Sequence, residues 1–196
     1  MRPVIRWLAE EGISHGAFAC KPRIHAELVA QGIPTVSPVA YWSDEMLAAR
    51  KQGERRTKEL LAAGEIDYSR LTPFGNTQTL VENLRAESEL LIPLVCRAQC
   101  NAENLLKRIQ PKLLVVGNDF TYEGRVGVQV AKAAGVATAC PMHGVVANNP
   151  LHTAHISDKY LAYGDSSRRH LLEIGLDEDK IAVVGAPYLD DQPKQS

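Results

Sequence analysis

Lys112–Gly144 reads KLLVVGNDFTYEGRVGVQVAKAAGVATACPMHG. A short apolar run stops at Gly117-Asn118-Asp119, and a helical pattern from Tyr122 follows until Gly135 ends it. A second apolar run, VATACPM, then finishes abruptly at His143-Gly144. Apolar runs this short, separated by a Gly-terminated amphipathic stretch, are the signature of a strand–helix–strand unit in a parallel sheet. The spacing predicts neighbouring parallel strands at Lys112–Gly117 and Val136–Pro141.

The same cadence continues on both sides. Downstream, DKYLAYG is a strand, SSRRHLLEIG a helix closed by Gly175, and KIAVVGAP a last strand. Strands are therefore expected at Lys159–Ala162 and Ile181–Val184. Upstream, a helix over Pro3–Glu11 stops at Gly12, a strand covers His15–Cys20, a helix covers Pro22–Ala30 with Pro in the tolerated first turn, and a strand covers Pro34–Ser37. The centre differs. Ser43 is a candidate N-cap for a charged helix reaching Ala63, whose KQGERRTK run reads as a solvated face. From Thr79 to Gln110 a long apolar stripe runs through Leu80, Leu84, Leu91, Leu94, Ala98, Leu105 and Ile109, and Pro93 predicts a kink or break within it. The expected class is α/β: a Rossmann-like parallel sheet with helices on both faces.

Bulk properties exclude several classes. The chain has 196 residues, 45% of them apolar, enough for a full core. A net charge of -1 offers no footprint for nucleic acid or an anionic membrane. There is no run of 18 apolar residues and no signal-peptide pattern at the start, so no transmembrane segment is expected and the expected location is the cytoplasm. The four cysteines, Cys20, Cys96, Cys100 and Cys140, form no CxxC pair and read as buried free thiols.

In open parallel sheets, ligands bind outside the carboxyl ends of the strands. Three such ends carry polar signals: Asn118-Asp119, His143-Gly144 and Tyr163-Gly164-Asp165. His143 has the residue type of a general base, and Gly144 permits close backbone approach. Asp119 could orient a hydroxyl or a basic partner. Arg125, with the amides of a helix opening at Glu123-Gly124, could receive an anionic group. Each also has a plain structural reading: strand cap, turn former, surface helix start. His143, His152 and His155 match no zinc spacing, and no Cys or carboxylate completes the set in sequence, so no metal is expected. No P-loop, GxGxxG or GxSxG is present, and the glycines of GRVGVQV fall inside a helix, so no cofactor is expected either.

The series LLVVGND, GRVGVQVAKAAGVATACPMHGVV and SDKYLAYGDSSRRHLLEIGLDEDKIAVVGAPYLD resembles the first domain of GT-B-type glycosyltransferases. In style it is nearest to bacterial surface-polysaccharide transferases, with UDP-N-acetylglucosamine 2-epimerases and CDP-glycerol glycerophosphotransferases as relatives. The resemblance covers Pro111–Asp190 well and Val4–Pro38 loosely. It departs from the pattern at Ala137, where Pro is usual, and at Met142 before the His-Gly pair. It implies that residues 1–190 are a Rossmann-like first domain, incomplete at its N-terminal side, and that 191–196 are a polar tail with the second, nucleotide-binding domain absent. The implied partners are a sugar or polyol acceptor, and a nucleotide sugar only where a second domain is supplied. His143 would then be the catalytic base, with Asn118, Asp119, Arg125 and Gly144 binding substrate. The alternatives are an epimerase-like isomerase domain and a non-catalytic truncated module.

Overall fold

The computed structural model describes residues 2–19, 22–37, 43–63, 77–142, 144 and 154–187. The chain divides into two compact units, one of Met1–Tyr41 with Pro111–Ser196 and one of Trp42–Gln110.

The first unit holds two parallel sheets. Helix α1 (Arg2–Glu10), strand β1 (Ala17–Phe18), helix α2 (Pro22–Ala30) and strand β2 (Thr35–Val36) make a small alternating motif in which β1 pairs β2 in parallel. The larger sheet comprises β3 (Leu113–Val115), β4 (Ala137–Pro141), β5 (Lys159–Ala162) and β6 (Ile181–Val183), in the order β3-β4-β5-β6. All its pairs are parallel, so the predicted neighbours β3 and β4 are neighbours. Helix α5 (Tyr122–Ala133) links β3 to β4, and helix α6 (Asp165–Glu173) with a 3-10 turn at Glu178–Lys180 links β5 to β6. The chain has the expected α/β class, Rossmann-like, with helices on both sides of the parallel sheet.

Register shows how the strands are staggered. Val115 lies level with Ala139, which lies level with Lys159. Thus β5 starts where β3 ends. In parallel pairing, residues side by side point to the same face. Leu114, Val116, Thr138, Cys140, Met142, Tyr160 and Ala162 therefore share one face. That face carries the core: Cys140, Met142, Tyr160 and Ala162 pack with Leu171 of α6 and Leu176, supported by Val116, Tyr163, Ile174 and Ile181. Helix α5 covers the β3 side of the same face, with Val128 and Ala131 fully buried. Gly127 faces the Leu114 and Val116 side chains, where a Cβ would stand 3.9 Å from each, in ordinary van der Waals contact. Strand β3 is one edge of the sheet, and Leu113 is 52% exposed there.

The second unit is α3 (Asp44–Ala62) packed on α4 (Thr77–Ile109). Ser43 caps α3 as expected, its hydroxyl accepting from the Met46 amide at 3.3 Å. The charged face of α3 carries the ion pairs Arg50–Glu54 and Arg55–Glu59 at helical i,i+4 spacing. Of the kink or break expected at Pro93, no break occurs: helix α4 is one continuous element through it. A proline costs a helix about 3 kcal/mol, and 16 residues on either side, together with packing on α3, outweigh that local preference. Cys96 and Cys100 on α4 are free and only half-buried, and Cys140 is free and buried.

Candidate functional site

The loop after β3 is built from local capping. Asn118 Oδ1 accepts from the Phe120 amide at 2.7 Å, a tight Asx turn. The Asn118 carbonyl accepts from the Thr121 hydroxyl at 3.3 Å. Thr121 is the N-cap of α5, its side chain accepting from the Gly124 amide at 3.3 Å. These bonds reverse the chain within a few residues and leave Asp119 pointing inward, fully buried.

Asp119 is met there by the connection that returns from β4 to β5. His155 Nδ1 lies 2.6 Å from Asp119 Oδ1. Asp119 Oδ2 accepts from the Ile156 amide at 3.1 Å, the Ser157 amide at 3.1 Å and the Ser157 hydroxyl at 2.8 Å. Burial alone would raise the carboxyl pKa. The bonds from His155 and Ser157 outweigh it and hold the group well below the usual carboxylate range. An ionised Asp119 accepts, so His155 Nδ1 carries the proton of this bond. The ring packs, tilted, against Phe120 (centroids 4.5 Å apart) and Tyr160 (3.7 Å). Its Nε2 is buried with no hydrogen-bond partner.

Arg125 and Lys132, seven residues apart on α5, reach the same returning segment. Arg125 donates to the Ala154 carbonyl at 3.2 Å and Lys132 to the Ile156 carbonyl at 2.7 Å. Lys132 also pairs with Asp158 at 3.0 Å. Asp158 Oδ2 accepts from both the amide and the hydroxyl of Thr138, and the Thr138 hydroxyl accepts from the Asp158 amide. The Thr138 hydroxyl, with Lys132, holds the Asp158 carboxyl below its ordinary pKa. A side chain thereby extends the β4–β5 ladder by one rung below Lys159.

The carboxyl end of β4 is fixed up to Met142. Its amide donates to Leu161 at 3.0 Å, and its carbonyl accepts the Tyr163 hydroxyl at 2.6 Å. The next residue, His143, lies outside the described residues. Gly144 is exposed and has φ of +65°, a conformation natural to glycine.

The expected substrate-binding set is therefore brought together only in part. Asn118, Asp119 and Arg125 share one loop-and-helix corner, but each is committed to the chain itself. Asp119, expected to bind substrate, has its basic partner in His155 and presents no exposed surface. Sequence reading placed His155 only in a histidine set with His143 and His152, and found no carboxylate or thiol to complete it. The fold supplies both, Asp119 and Cys140, whose ligand atoms lie within 4.8 Å of one another and of His155. This donor set does not suit a metal. An Oδ1–Nδ1 separation of 2.6 Å is a hydrogen bond, shorter than the spacing of two ligands about 2.0–2.2 Å from a common zinc. Burial, reinforced by the Asp119 charge, pushes the Cys140 thiol up to about 12, so in this cluster it is a protonated thiol.

No protein-family model matches the chain, and no curated protein matches it. Among the described residues, no helix is long and apolar enough to cross a membrane.

Proposed function

We propose that the chain is the acceptor-side domain of a nucleotide-sugar-dependent glycosyltransferase of surface-polysaccharide type, acting in the cytoplasm. Support comes from the resemblance of Pro111–Asp190 to that family together with one structural observation. The polar strand ends Asn118-Asp119 and Tyr163-Gly164 flank, on neighbouring parallel strands, a β4 whose carboxyl end is pinned at Met142, immediately before His143.

In this reading the acceptor is a sugar or polyol hydroxyl. The imidazole of His143 takes the hydroxyl proton as the oxygen attacks the anomeric carbon. The bond from that carbon to the nucleoside diphosphate breaks, and the diphosphate leaves with the electron pair on its oxygen, held by a second nucleotide-binding domain. Gly144 lets the acceptor approach the backbone, and Arg125 lies at the helix start on the same side. Asp119 acts behind these groups, by fixing the returning connection.

The test is paired. Release of UDP, GDP or CDP from the corresponding nucleotide sugars is measured with a nucleotide-binding domain present, in wild type and His143→Ala, alongside the melting temperature of both. Loss of a general base lowers turnover by about 10²–10⁴ with the fold intact. Normal turnover with a lowered melting point would make His143 a structural cap and overturn the mechanism.

A further inference from the structure

Residues 154–158 are neither helix nor strand, yet they cross the same sheet face as α5 and α6, with His155 and Ser157 buried. Buried backbone groups need partners. Among the described residues, this segment's hydrogen bonds are made through side chains. The Ala154 and Ile156 carbonyls are gripped by Arg125 and Lys132. The Ile156 and Ser157 amides are gripped by Asp119, and the Asp158 amide by Thr138.

We infer that residues 154–158 form a polar strap that opens as a unit while the four-stranded sheet stays paired. Three observations carry this. The strap has side-chain tethers where a strand would have a continuous ladder, so a few rotamer changes release it. Its closed form leaves His155 Nε2 buried and unpaired, a group that water would satisfy on opening, which narrows the gap between closed and open. The strap also has an apolar floor of its own, the Tyr160 ring under His155, so the sheet beneath keeps its partners when the strap lifts. The groups facing the tethers are few: His155 and Cys140 face Asp119, Lys132 faces Asp158, and Arg125 reaches in from α5.

Cys140 reports on this opening. Its sulfur lies next to Asp119 and His155 and is fully buried. The full-length chain is treated with iodoacetamide at a series of urea concentrations below the unfolding transition, and carbamidomethylation of Cys140 is followed by mass spectrometry. Amide exchange of Cys140 and Tyr160 is read in parallel as the record of the sheet. The expected result is a labelling rate nearly independent of urea, faster by about tenfold or more in Asp119→Asn, as removal of hydrogen bonds to a charged group implies, with the two strand amides unchanged. Ser157→Ala, which deletes one donor to Asp119, is milder, remains folded and should give a few-fold increase of the same kind. A labelling rate that climbs with urea as steeply as global unfolding would overturn the inference. So would either variant accelerating strand-amide exchange as much as labelling, or neither accelerating labelling.

Discussion

The α-carbon of Gly124 faces the backbone carbonyl of Asn118 with no space between them for a side chain. A Cβ there would collide with main chain, which cannot rotate aside. The contact exists because Thr121 caps α5 while the Asn118 turn folds back onto the first turn of the helix.

Gly124→Ala is accordingly expected to destabilise the first unit by at least the 1–3 kcal/mol typical of overpacking, although alanine is the better helix former. Urea denaturation followed by circular dichroism checks the sign. An unchanged or raised midpoint would show that the loop yields.

Breaking the Asp119–His155 pair should cost more than any surface change. Asp119→Ala leaves four donors without their acceptor, and at roughly 1–3 kcal/mol for each buried group left unpaired the loss should be at least about 3 kcal/mol. His155→Asn, which keeps a donor near the Nδ1 position, should cost less than His155→Ala. Acid dependence follows from the direction of the shift. The folded carboxyl titrates below its unfolded value of about 3.9, so its contribution is complete above about pH 5 and is lost as pH falls through 4 and below. Urea midpoints measured from pH 7 to pH 3 should therefore fall steeply in wild type and more shallowly in Asp119→Asn.

Thr138 offers a cleaner separation of shape from hydrogen bonding. Thr138→Val keeps the volume but strips the hydroxyl that serves both the Asp158 carboxylate and the Asp158 amide. A loss of about 1–3 kcal/mol is expected for the groups left unpaired. Thr138→Ser, which retains the hydroxyl, should lose roughly 1 kcal/mol or less for its missing methyl group. Equal losses in the two variants would assign the role of Thr138 to packing.

The larger sheet was legible because each of its strands is a short apolar run closed by glycine or a polar turn. Lys159–Ala162 matches residue for residue, and the other three predicted strands of this sheet contain the observed ones with one to three residues trimmed. Two features were not legible. One is the separation of β1–β2 into its own sheet, since strand pairing between distant segments leaves no local pattern. The other is the site itself. Asp119 and His155 are 36 positions apart, and Cys140 joins them only through the parallel register of β4. Spacing rules for ligands and catalytic sets look along the chain, whereas this cluster forms across a sheet face. A hint was available in the polar run His155, Ser157, Asp158 directly before an apolar strand, because such residues entering a core need partners. For His143 sequence remains the sole guide.

Tyr163→Phe removes the hydroxyl that holds the Met142 carbonyl. The stability cost should be near 1 kcal/mol, the net worth of one hydrogen bond. In the nucleotide-release assay the same variant should lower turnover well beyond what so small a loss of folded protein explains, because it loosens the strand end that carries His143. Turnover unchanged within twofold would detach Tyr163 from the site.

The stagger of the sheet gives its carboxyl edge a slope. Val115 ends β3 level with Ala139, two residues short of the end of β4, and Pro141 ends β4 level with Leu161, one residue short of the end of β5. At roughly 3.3 Å per residue, the edge climbs about 7 Å and then about 3 Å from one strand to the next. It is a staircase, with the Asn118 turn near its foot and Tyr163 near its top. A small flat ring placed on it would rest on a single step, whereas an elongated molecule lying obliquely could touch all three.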